Sequence, residues 1–321
     1  MSEIVVVDIG GTHARFALAE LSGRRVARLG EAVVLRTADH AGLAAAWAAF
    51  ARTAGRVLPR QAALAVACPV SPGALQLTNN PWTLHTDTLA AELDVDRCIL
   101  LNDFAAVGHA VAQAAPDHLT PVCGPAGPMP EDGVFTVIGP GTGLGVAMVV
   151  KRGGSARVIP TEGGHAGFVP TDAFEDRLAH RLRARFGRVS AERVVSGPGL
   201  LAIYETLLDE QGIQAAPRGD RAVWDAALAG TEPLAMAALD HFCRCFGAVA
   251  GDLALAQGAN AVVLAGGISP RIDAVLPRSG FAARFAAKGR FEAMMQSIPV
   301  RLAGHPQPGL FGAAAAFAAE E

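Results

Sequence analysis

The sequence predicts an α/β protein in which one supersecondary pattern occurs twice. Each copy opens with a short β-branched strand, turns at a glycine-rich segment, continues into a second strand and then combines helices with further strands. Short apolar runs between glycine turns are typical of buried strands, and strands that alternate with helices indicate an α/β fold. The length of 321 residues suits one large or two moderate domains.

The first copy precedes a segment rich in proline and glycine, residues 116–130. Its predicted strands lie at 4–7, 15–21, 32–36, 63–67 and 98–101, and its predicted helices at 43–52, 86–93 and 104–114. Because proline and glycine punctuate the chain between ordered elements, we expect residues 116–130 to connect the two copies.

The second copy repeats the opening strand, glycine turn and strand. Its predicted strands lie at 134–138, 144–150, 156–159, 261–265 and 299–302, and its predicted helices near 173–185, 199–208, 222–228, 234–255 and 310–319. The recurrence suggests an internal duplication.

Composition excludes several classes of protein. Hydrophobic residues make up 51% of the chain, yet no apolar run reaches the roughly 18 to 20 residues of a membrane span. Glu3 and Asp8 interrupt the N-terminal apolar stretch, unlike a signal peptide. The net charge is -3 and the basic residues are scattered, so we expect no nucleic-acid or membrane partner. The five cysteines are widely spaced, which favours reduced thiols in a cytoplasmic protein.

Three glycine-rich elements lie at predicted strand ends. Residues 8–12 read Asp-Ile-Gly-Gly-Thr, and residues 139–145 read Gly-Pro-Gly-Thr-Gly-Leu-Gly. Gly266-Gly267 follows the strand at 261–265 and is expected to open a helix. Glycines let the backbone approach a ligand closely, and amides exposed at such turns bind phosphate oxygens. Two Gly-Thr hairpins suit the two sides of a nucleotide polyphosphate, while the third element leaves room for adenine or ribose. Asp8 supplies a carboxylate suited to Mg²⁺ held through water.

A plain hairpin is the alternative explanation for any one of these turns, and their recurrence favours nucleotide binding. Other nucleotide motifs do not fit the spacing. The chain has no Gly-x-x-x-x-Gly-Lys-Ser/Thr segment, which excludes a P-loop. Residues 139–145 do not match Gly-x-Gly-x-x-Gly in any register, which weakens a dinucleotide site.

The ordered set of motifs resembles the bacterial glucokinase family, of the proteobacterial, non-ROK type, within the actin-like ATPase superfamily. The resemblance covers nearly the whole chain. Besides the glycine elements, the motifs are Ala67-Cys68-Pro69, Thr78-Asn79 with Trp82, Leu101-Asn102-Asp103-Phe104, Glu162-Gly163-Gly164-His165, Ser190-Ala191-Glu192-Arg193, Ser196-Gly197-Pro198-Gly199 and Pro308-Gly309. One departure is His13, where the family commonly has Asn.

The resemblance implies two α/β domains of the ribonuclease-H/actin-like type with an interdomain cleft. It implies a small domain of residues 1–113 plus 304–321, a large domain of residues 114–303, and a homodimer. The implied nucleotide-binding residues are Val7, Asp8, Ile9, Gly10, Gly11, Thr12, Gly141, Thr142, Gly143, Gly266 and Gly267. Asp8 would bind the Mg²⁺ of MgATP through water.

The resemblance also implies the sugar site and the activity. The implied glucose ligands are Asn102, Asp103, Glu162, His165 and Glu192. Asp103 would be the general base in the ATP-dependent phosphorylation of glucose at its 6-hydroxyl. The alternatives are a kinase for another hexose and a non-catalytic actin-like ATPase or sugar sensor.

Four of the five implied sugar ligands also have a purely structural explanation. Asn102 and Asp103 are favoured residues for the N-terminus of the helix predicted at 104–114. His165 suits a satisfied core or surface histidine. Glu192 falls in a predicted first helical turn, where the helix dipole favours an acidic side chain.

Overall fold

The computed structural model describes residues 2–77, 80–214, 216 and 218–320. Thr78 and Asn79, which belong to one of the sequence motifs, lie outside the described residues. The chain divides into two compact units. The first unit comprises Met1–Ala114, Val158–Pro160 and His305–Glu321, and the second comprises Ala115–Arg157 and Thr161–Gly304. The predicted domain boundaries near 113 and 303 stay a prediction.

The strands and helices are numbered in chain order. The strands are β1 (Ser2–Ile9), β2 (His13–Ser22), β3 (Arg25–Leu29), β4 (Val33–Arg36), β5 (Gln61–Val66), β6 (Ala74–Gln76), β7 (Thr83–His85), β8 (Arg97–Asn102), β9 (Leu119–Cys123), β10 (Gly133–Pro140), β11 (Leu144–Arg152), β12 (Ser155–Thr161), β13 (Ala261–Leu264) and β14 (Val300–Ala303). The helices are α1 (Leu43–Ala54), α2 (Leu89–Glu92), α3 (Asp103–Ala112), α4 (Ala173–Phe186), α5 (Ala191–Val194), α6 (Gly197–Glu210), α7 (Asp220–Ala229), α8 (Pro233–Gln257), α9 (Phe281–Ala286), α10 (Glu292–Gln296) and α11 (Pro308–Ala319).

The main sheet of the first unit has the order β3-β2-β1-β5-β8, with β4 paired to β2. β1 and β2 are antiparallel, whereas β1, β5 and β8 run parallel. The parallel register aligns Ile9 with Val66 and Val66 with Asn102. The carboxyl ends of these three strands therefore lie at one edge of the sheet, with the turn after β1 and the start of α3.

The sheet of the second unit has the order β12-β11-β10-β13-β14-β9. β10 and β11 are antiparallel, and β10, β13 and β14 run parallel. This repeats the first unit, in which β1 pairs with β2 and β5, and β5 pairs with β8. The internal repeat predicted from the two glycine turns is therefore present in the strand pairing of both units.

The alternation of side chains along β1 explains why its apolar run is continuous. Val5 and Val7 pack on the side of α1, whereas Ile4 and Val6 pack on the side of α11. A strand that is covered on both faces must be apolar at every position. The core of the second unit includes aromatic rings of α8: the ring centroid of Phe246 lies 5.3 Å from that of Phe281.

Three expectations about the elements were wrong. The helix expected at 86–93 is only the short α2, and Asp94 follows it in a left-handed conformation (φ 52°) that ends the helical path. Residues 116–130 do not only connect the two copies, because β9 pairs with β14. Gly266-Gly267 leads into a short 3-10 turn, Ser269–Ile272, and does not open an α-helix. Strands β3, β6 and β7 carried too little apolar alternation to be predicted.

Within the described part of the chain, no helix combines the length and the apolar character required to cross a membrane.

Candidate active site

The turn between β1 and β2 lies at the same sheet edge as the start of α3. Gly10 N–H donates to the carbonyl of His13 at 3.0 Å, which closes the turn and leaves Thr12 exposed. Since Ile9, Val66 and Asn102 are aligned across neighbouring strands, two strand spacings, or about 9.5 Å, separate the ends of β1 and β8. The first glycine turn and the Asn102-Asp103 pair are therefore neighbours within the first unit.

The peptide groups of this turn are oriented by hydrogen bonds on their carbonyl side. The carbonyl of Gly10 accepts from Asn80 Nδ2 at 2.7 Å, and the carbonyl of Gly11 accepts from Thr37 Oγ1 at 3.2 Å. In a trans peptide the carbonyl and the following N–H point in opposite directions. The N–H groups of Gly11 and Thr12 are consequently turned away from these donors, in the arrangement that an anion-binding turn requires.

Asp8 carries a carboxylate that is only 22% exposed. Burial raises its pKa above the ordinary value, while the Arg15 guanidinium at 3.5 Å acts in the opposite direction. The carboxylate packs against Gly309 in the first turn of α11, where a Cβ atom would lie 2.7 Å from both Cγ and Oδ2 of Asp8. The Pro308-Gly309 motif thus leaves room for the Asp8 carboxylate beside a helix N-terminus, which favours negative charge.

Asn102 and Asp103 begin α3. Asn102 Oδ1 accepts from Phe104 N at 2.9 Å and from Ala105 N at 3.1 Å, so the expected N-cap is present. Asn102 Nδ2 donates to the carbonyl of Cys68 at 3.3 Å, which brings the Ala67-Cys68-Pro69 motif beside this pair. Asp103 Oδ1 accepts from Phe104 N at 2.8 Å, and the side chain remains partly exposed. A carboxylate is therefore held at the carboxyl edge of the parallel strands, where α/β proteins bind ligands.

The second and third glycine elements contact each other in the second unit. The N–H of Ala265 donates to the carbonyl of Ile138 at 2.8 Å. The N–H of Ile268 donates to the carbonyl of Pro140 at 3.1 Å. A Cβ atom at Gly139 would lie 2.4 Å from the carbonyl carbon of Ala265. Gly266 has a φ of 77°, in the region that favours glycine. These glycines allow the two backbone segments to touch.

A cavity of 400 Å³ opens beside the second turn. Gly141 and Thr142 form part of its wall. The start of α6, side chains of α7 and the segment after β13 form the rest, among them Trp224, Asp225 and Arg271. Arg271 lies over the Trp224 ring at 5.6 Å and 3.4 Å from Asp225 Oδ1. The size falls in the range of small-molecule sites, about 300 to 1,000 Å³.

The side chain of Glu192 contacts the second glycine turn. Its Oε2 accepts from Leu144 N at 3.0 Å, and a Cβ atom at Gly143 would lie only 2.4 Å from the same oxygen. The residue does stand in the first turn of α5, as expected. Its carboxylate, however, makes a specific contact with the glycine turn, which a dipole effect alone would not require.

Glu162 and His165 lie near the same turn. They flank a 3-10 turn, with His165 Nε2 3.7 Å from Glu162 Oε2 and both side chains more than half exposed. A Cβ atom at Gly164 would lie 2.1 Å from the carbonyl oxygen of Leu144. The backbone of Leu144 is thus contacted by Glu192 on one side and by Gly164 on the other. The second unit brings Glu162, His165 and Glu192 together.

Sequence reasoning overlooked the residues that hold these turns. Thr37 and Asn80 contact the first turn across 26 and 70 residues of sequence, so no local motif could indicate them. The side chains of α7 that line the cavity were also missed, although a tryptophan among charged residues on one helix was a usable signal. His13 contributes its carbonyl to the closure of the first turn, and this backbone contact does not depend on the side chain.

All five cysteines are free, and burial raises the pKa of Cys98 and Cys243 to about 12 and that of Cys123 to about 11. Such thiols stay protonated near neutral pH and are poor nucleophiles. Among the described residues, no three side chains of His, Cys, Asp or Glu are grouped as a protein-only metal site would need.

Comparison with known proteins agrees with this geometry. The family model described as Glucokinase matches residues 5–320. The chain is 54% identical over 316 residues to a curated glucokinase of Zymomonas mobilis, with 98% of each chain covered, and 41% identical over 319 residues to one of Paramagnetospirillum magneticum, with 98% and 97% covered. A crystal structure of a glucokinase from an Antarctic psychrotroph superposes with a TM-score of 0.87 at 32% identity, over 98% of both chains. The predicted fold class is confirmed, and the chain belongs to the glucokinase family.

Proposed function

We propose that the chain transfers the γ-phosphoryl group of MgATP to the 6-hydroxyl of glucose and so forms glucose 6-phosphate. The observation that carries the proposal is the pairing of Asp103 with the first glycine turn at one sheet edge. A carboxylate and a phosphate-binding turn are the two groups that phosphoryl transfer to an alcohol requires. The names of the related proteins support the same activity.

MgATP is the second substrate. The two glycine turns bind its phosphates, through the residues Val7 to Thr12 and Gly141 to Gly143. The nucleoside occupies the cavity beside Thr142, next to Gly266-Gly267, where the Asp225 carboxylate can accept hydrogen bonds from ribose hydroxyls. Mg²⁺ usually takes one or two protein carboxylates and completes its shell with water and phosphate, and the partly buried carboxylate of Asp8 fits that pattern.

Glucose takes its hydrogen bonds from Asn102, Asp103, Glu162, His165 and Glu192. Carboxylates, amides and imidazoles suit hydroxyl groups that both donate and accept. Asp103 accepts the proton of the 6-hydroxyl while the sugar oxygen attacks the γ-phosphorus and ADP leaves. The amides of Gly11 and Thr12 stabilise charge on the phosphoryl oxygens, the main requirement of this reaction.

We also propose that the protein works in the cytoplasm as a homodimer, without nucleic-acid or membrane partners. The scattered basic residues support the absence of nucleic-acid and membrane partners, and the free thiols support the cytoplasm. The homodimer rests on the family resemblance alone.

The activity is tested by coupling ADP release to NADH oxidation in the presence of MgATP and one hexose at a time. We expect release that depends on glucose and exceeds the release without sugar. Mannose and fructose serve as competitors of the same size. A protein that folds but releases no more ADP with any hexose than without one would contradict the proposal.

Glu192 allows its two proposed roles to be separated. Glu192→Gln keeps an oxygen that can accept from Leu144 N but loses the charge offered to glucose, whereas Glu192→Ala loses both. Because hydrogen bonds to charged groups are worth about 1.5 to 3 kcal/mol, we expect Glu192→Gln to raise KM for glucose roughly tenfold to a hundredfold. KM for MgATP should rise clearly only in Glu192→Ala, since the turn loses its support.

Steady-state kinetics with each substrate varied in turn, together with melting curves, check this expectation. If both variants lose stability and keep both KM values, Glu192 has only a structural role.

A further inference from the structure

Three buried side chains support the carbonyl side of the first glycine turn. They are Thr37, Asn80 and Trp82, which we call the turn clamp. Their exposed fractions are 2%, 6% and 2%. Asn80 donates to the carbonyl of Gly10 and Thr37 donates to the carbonyl of Gly11, as described above. The backbone N–H of Thr37 also donates to the carbonyl of Thr12, at 3.0 Å. Three successive carbonyls of the turn are thus engaged on the same side.

The clamp residues are themselves fixed by hydrogen bonds. Asn80 Oδ1 accepts from Trp82 N at 2.9 Å, which orients the amide so that Nδ2 faces Gly10. The Trp82 indole N–H lies 3.1 Å from the carbonyls of both Thr37 and His40. The segment around Asn80 and the segment around Thr37 therefore support each other as well as the turn. A buried polar network of this kind rigidifies the backbone that it contacts when each member is satisfied.

We propose that Thr37 and Asn80 are positioning residues for the phosphate of the nucleotide, acting through the turn and not by contact with the ligand. Each carbonyl that they hold directs the following N–H the opposite way, because the peptide group is planar and trans. The two side-chain donors thus set the direction of two successive amides, those of Gly11 and Thr12. This inference rests on the proposed function, in which these amides bind phosphate oxygens.

The proposal predicts a selective defect in nucleotide binding. Without its donor, a turn carbonyl has no hydrogen bond, and it regains one by rotating toward water. The N–H on the same peptide then turns away from the phosphate. Thr37→Val replaces the hydroxyl by a methyl of the same size, whereas Thr37→Ser keeps the hydroxyl. Asn80→Asp keeps the oxygen facing Trp82 N but places a second acceptor against the carbonyl of Gly10.

The experiment measures MgADP binding by calorimetry without sugar, followed by KM for MgATP and for glucose. Loss of one neutral hydrogen bond is worth roughly two- to tenfold in affinity, so we expect that weakening in Thr37→Val and near-normal affinity in Thr37→Ser. Asn80→Asp should weaken MgADP at least about tenfold, since it adds repulsion to the loss of a bond. KM for glucose should stay within about twofold in all three variants, because a turn defect leaves the proposed sugar ligands in place.

Asn260→Asp is the matched control. Asn260 Nδ2 also donates to a backbone carbonyl, that of Asp132 at 3.0 Å, but near the starts of β10 and β13, away from the glycine turns. This control should lose some stability without changing MgADP affinity. If Thr37→Val and Asn80→Asp bind MgADP like wild type, or if Thr37→Ser fails to restore the affinity lost in Thr37→Val, the positioning role is wrong. Wild-type protein that binds no MgADP overturns the proposed function itself. If Asn80→Asp does not fold, the Thr37 pair decides the question.

Discussion

Asp103→Asn is expected to lower turnover by about 10² to 10⁴, the range that general-base catalysis supplies. The amide keeps the size of the carboxylate and an oxygen that can accept from Phe104 N. The cap of α3 is supplied by Asn102 and is not altered. Folding should therefore survive, and glucose should still bind at saturating concentration, because the amide oxygen can still accept from the 6-hydroxyl and only the basic carboxylate is removed.

The measurement is kcat at saturating MgATP and glucose, together with glucose binding by calorimetry. Asp176→Asn is the control, since Asp176 is also an acidic residue in the first turn of a helix, α4, and has no place in the proposed site. It should leave kcat unchanged. A variant of Asp103 that binds both substrates and turns over within about threefold of wild type contradicts the general-base role. Even the smallest loss of turnover expected for that role, about 10²-fold, is far larger. Mass spectrometry excludes deamidation as a source of residual activity.

Arg284→Met is expected to lower the free energy of unfolding by about 3 to 5 kcal/mol, the effect of leaving one partner of a buried ion pair alone. Arg284 Nη2 lies 2.8 and 3.0 Å from the two carboxylate oxygens of Glu175. The Arg284 side chain is 15% exposed and that of Glu175 only 2%. Methionine fills a similar volume, so the loss arises from the carboxylate that remains buried without its guanidinium.

Urea unfolding checks this value, with Arg60→Met as a control. Arg60 pairs with Asp94 and Asp96 on the surface, where all three side chains are more than half exposed, so its removal should have little effect. The double variant Glu175→Leu with Arg284→Met removes both charges and should recover part of the stability, because buried pairs are often replaceable by apolar groups. The bonds from Thr171 N and Oγ1 to Glu175 are lost in that variant and limit the recovery. If Arg284→Met is as stable as Arg60→Met, the ion pair of Arg284 with Glu175 makes no net contribution to stability.

Local patterns were sufficient for the elements that matter most to the site. The β-branched run of β1 lies in two apolar clusters, and the Asn102 cap marks the start of α3. Both signals act over a few residues, which is why they can be recognised without a structure. The edge strands β3 and β9 were missed because an edge strand is half exposed and carries little apolar alternation. β9 also depends on pairing with β14, and no pattern in the residues of β9 predicts that contact.

The amino-acid sequence alone determined the fold class, the repeated glycine turns and the list of candidate ligands, because these follow from residue type, short-range spacing and family resemblance. Only the tertiary structure decided what those residues touch. Glu192 contacts Leu144 across 48 residues, and Gly309 in the last helix makes room for Asp8 in the first strand. The carbonyls of Gly10 and Gly11 in the first glycine turn accept from Asn80 and Thr37, which are distant in sequence from the turn. A hydrogen bond requires two groups within about 3 Å, and only the folded chain brings such distant residues that close.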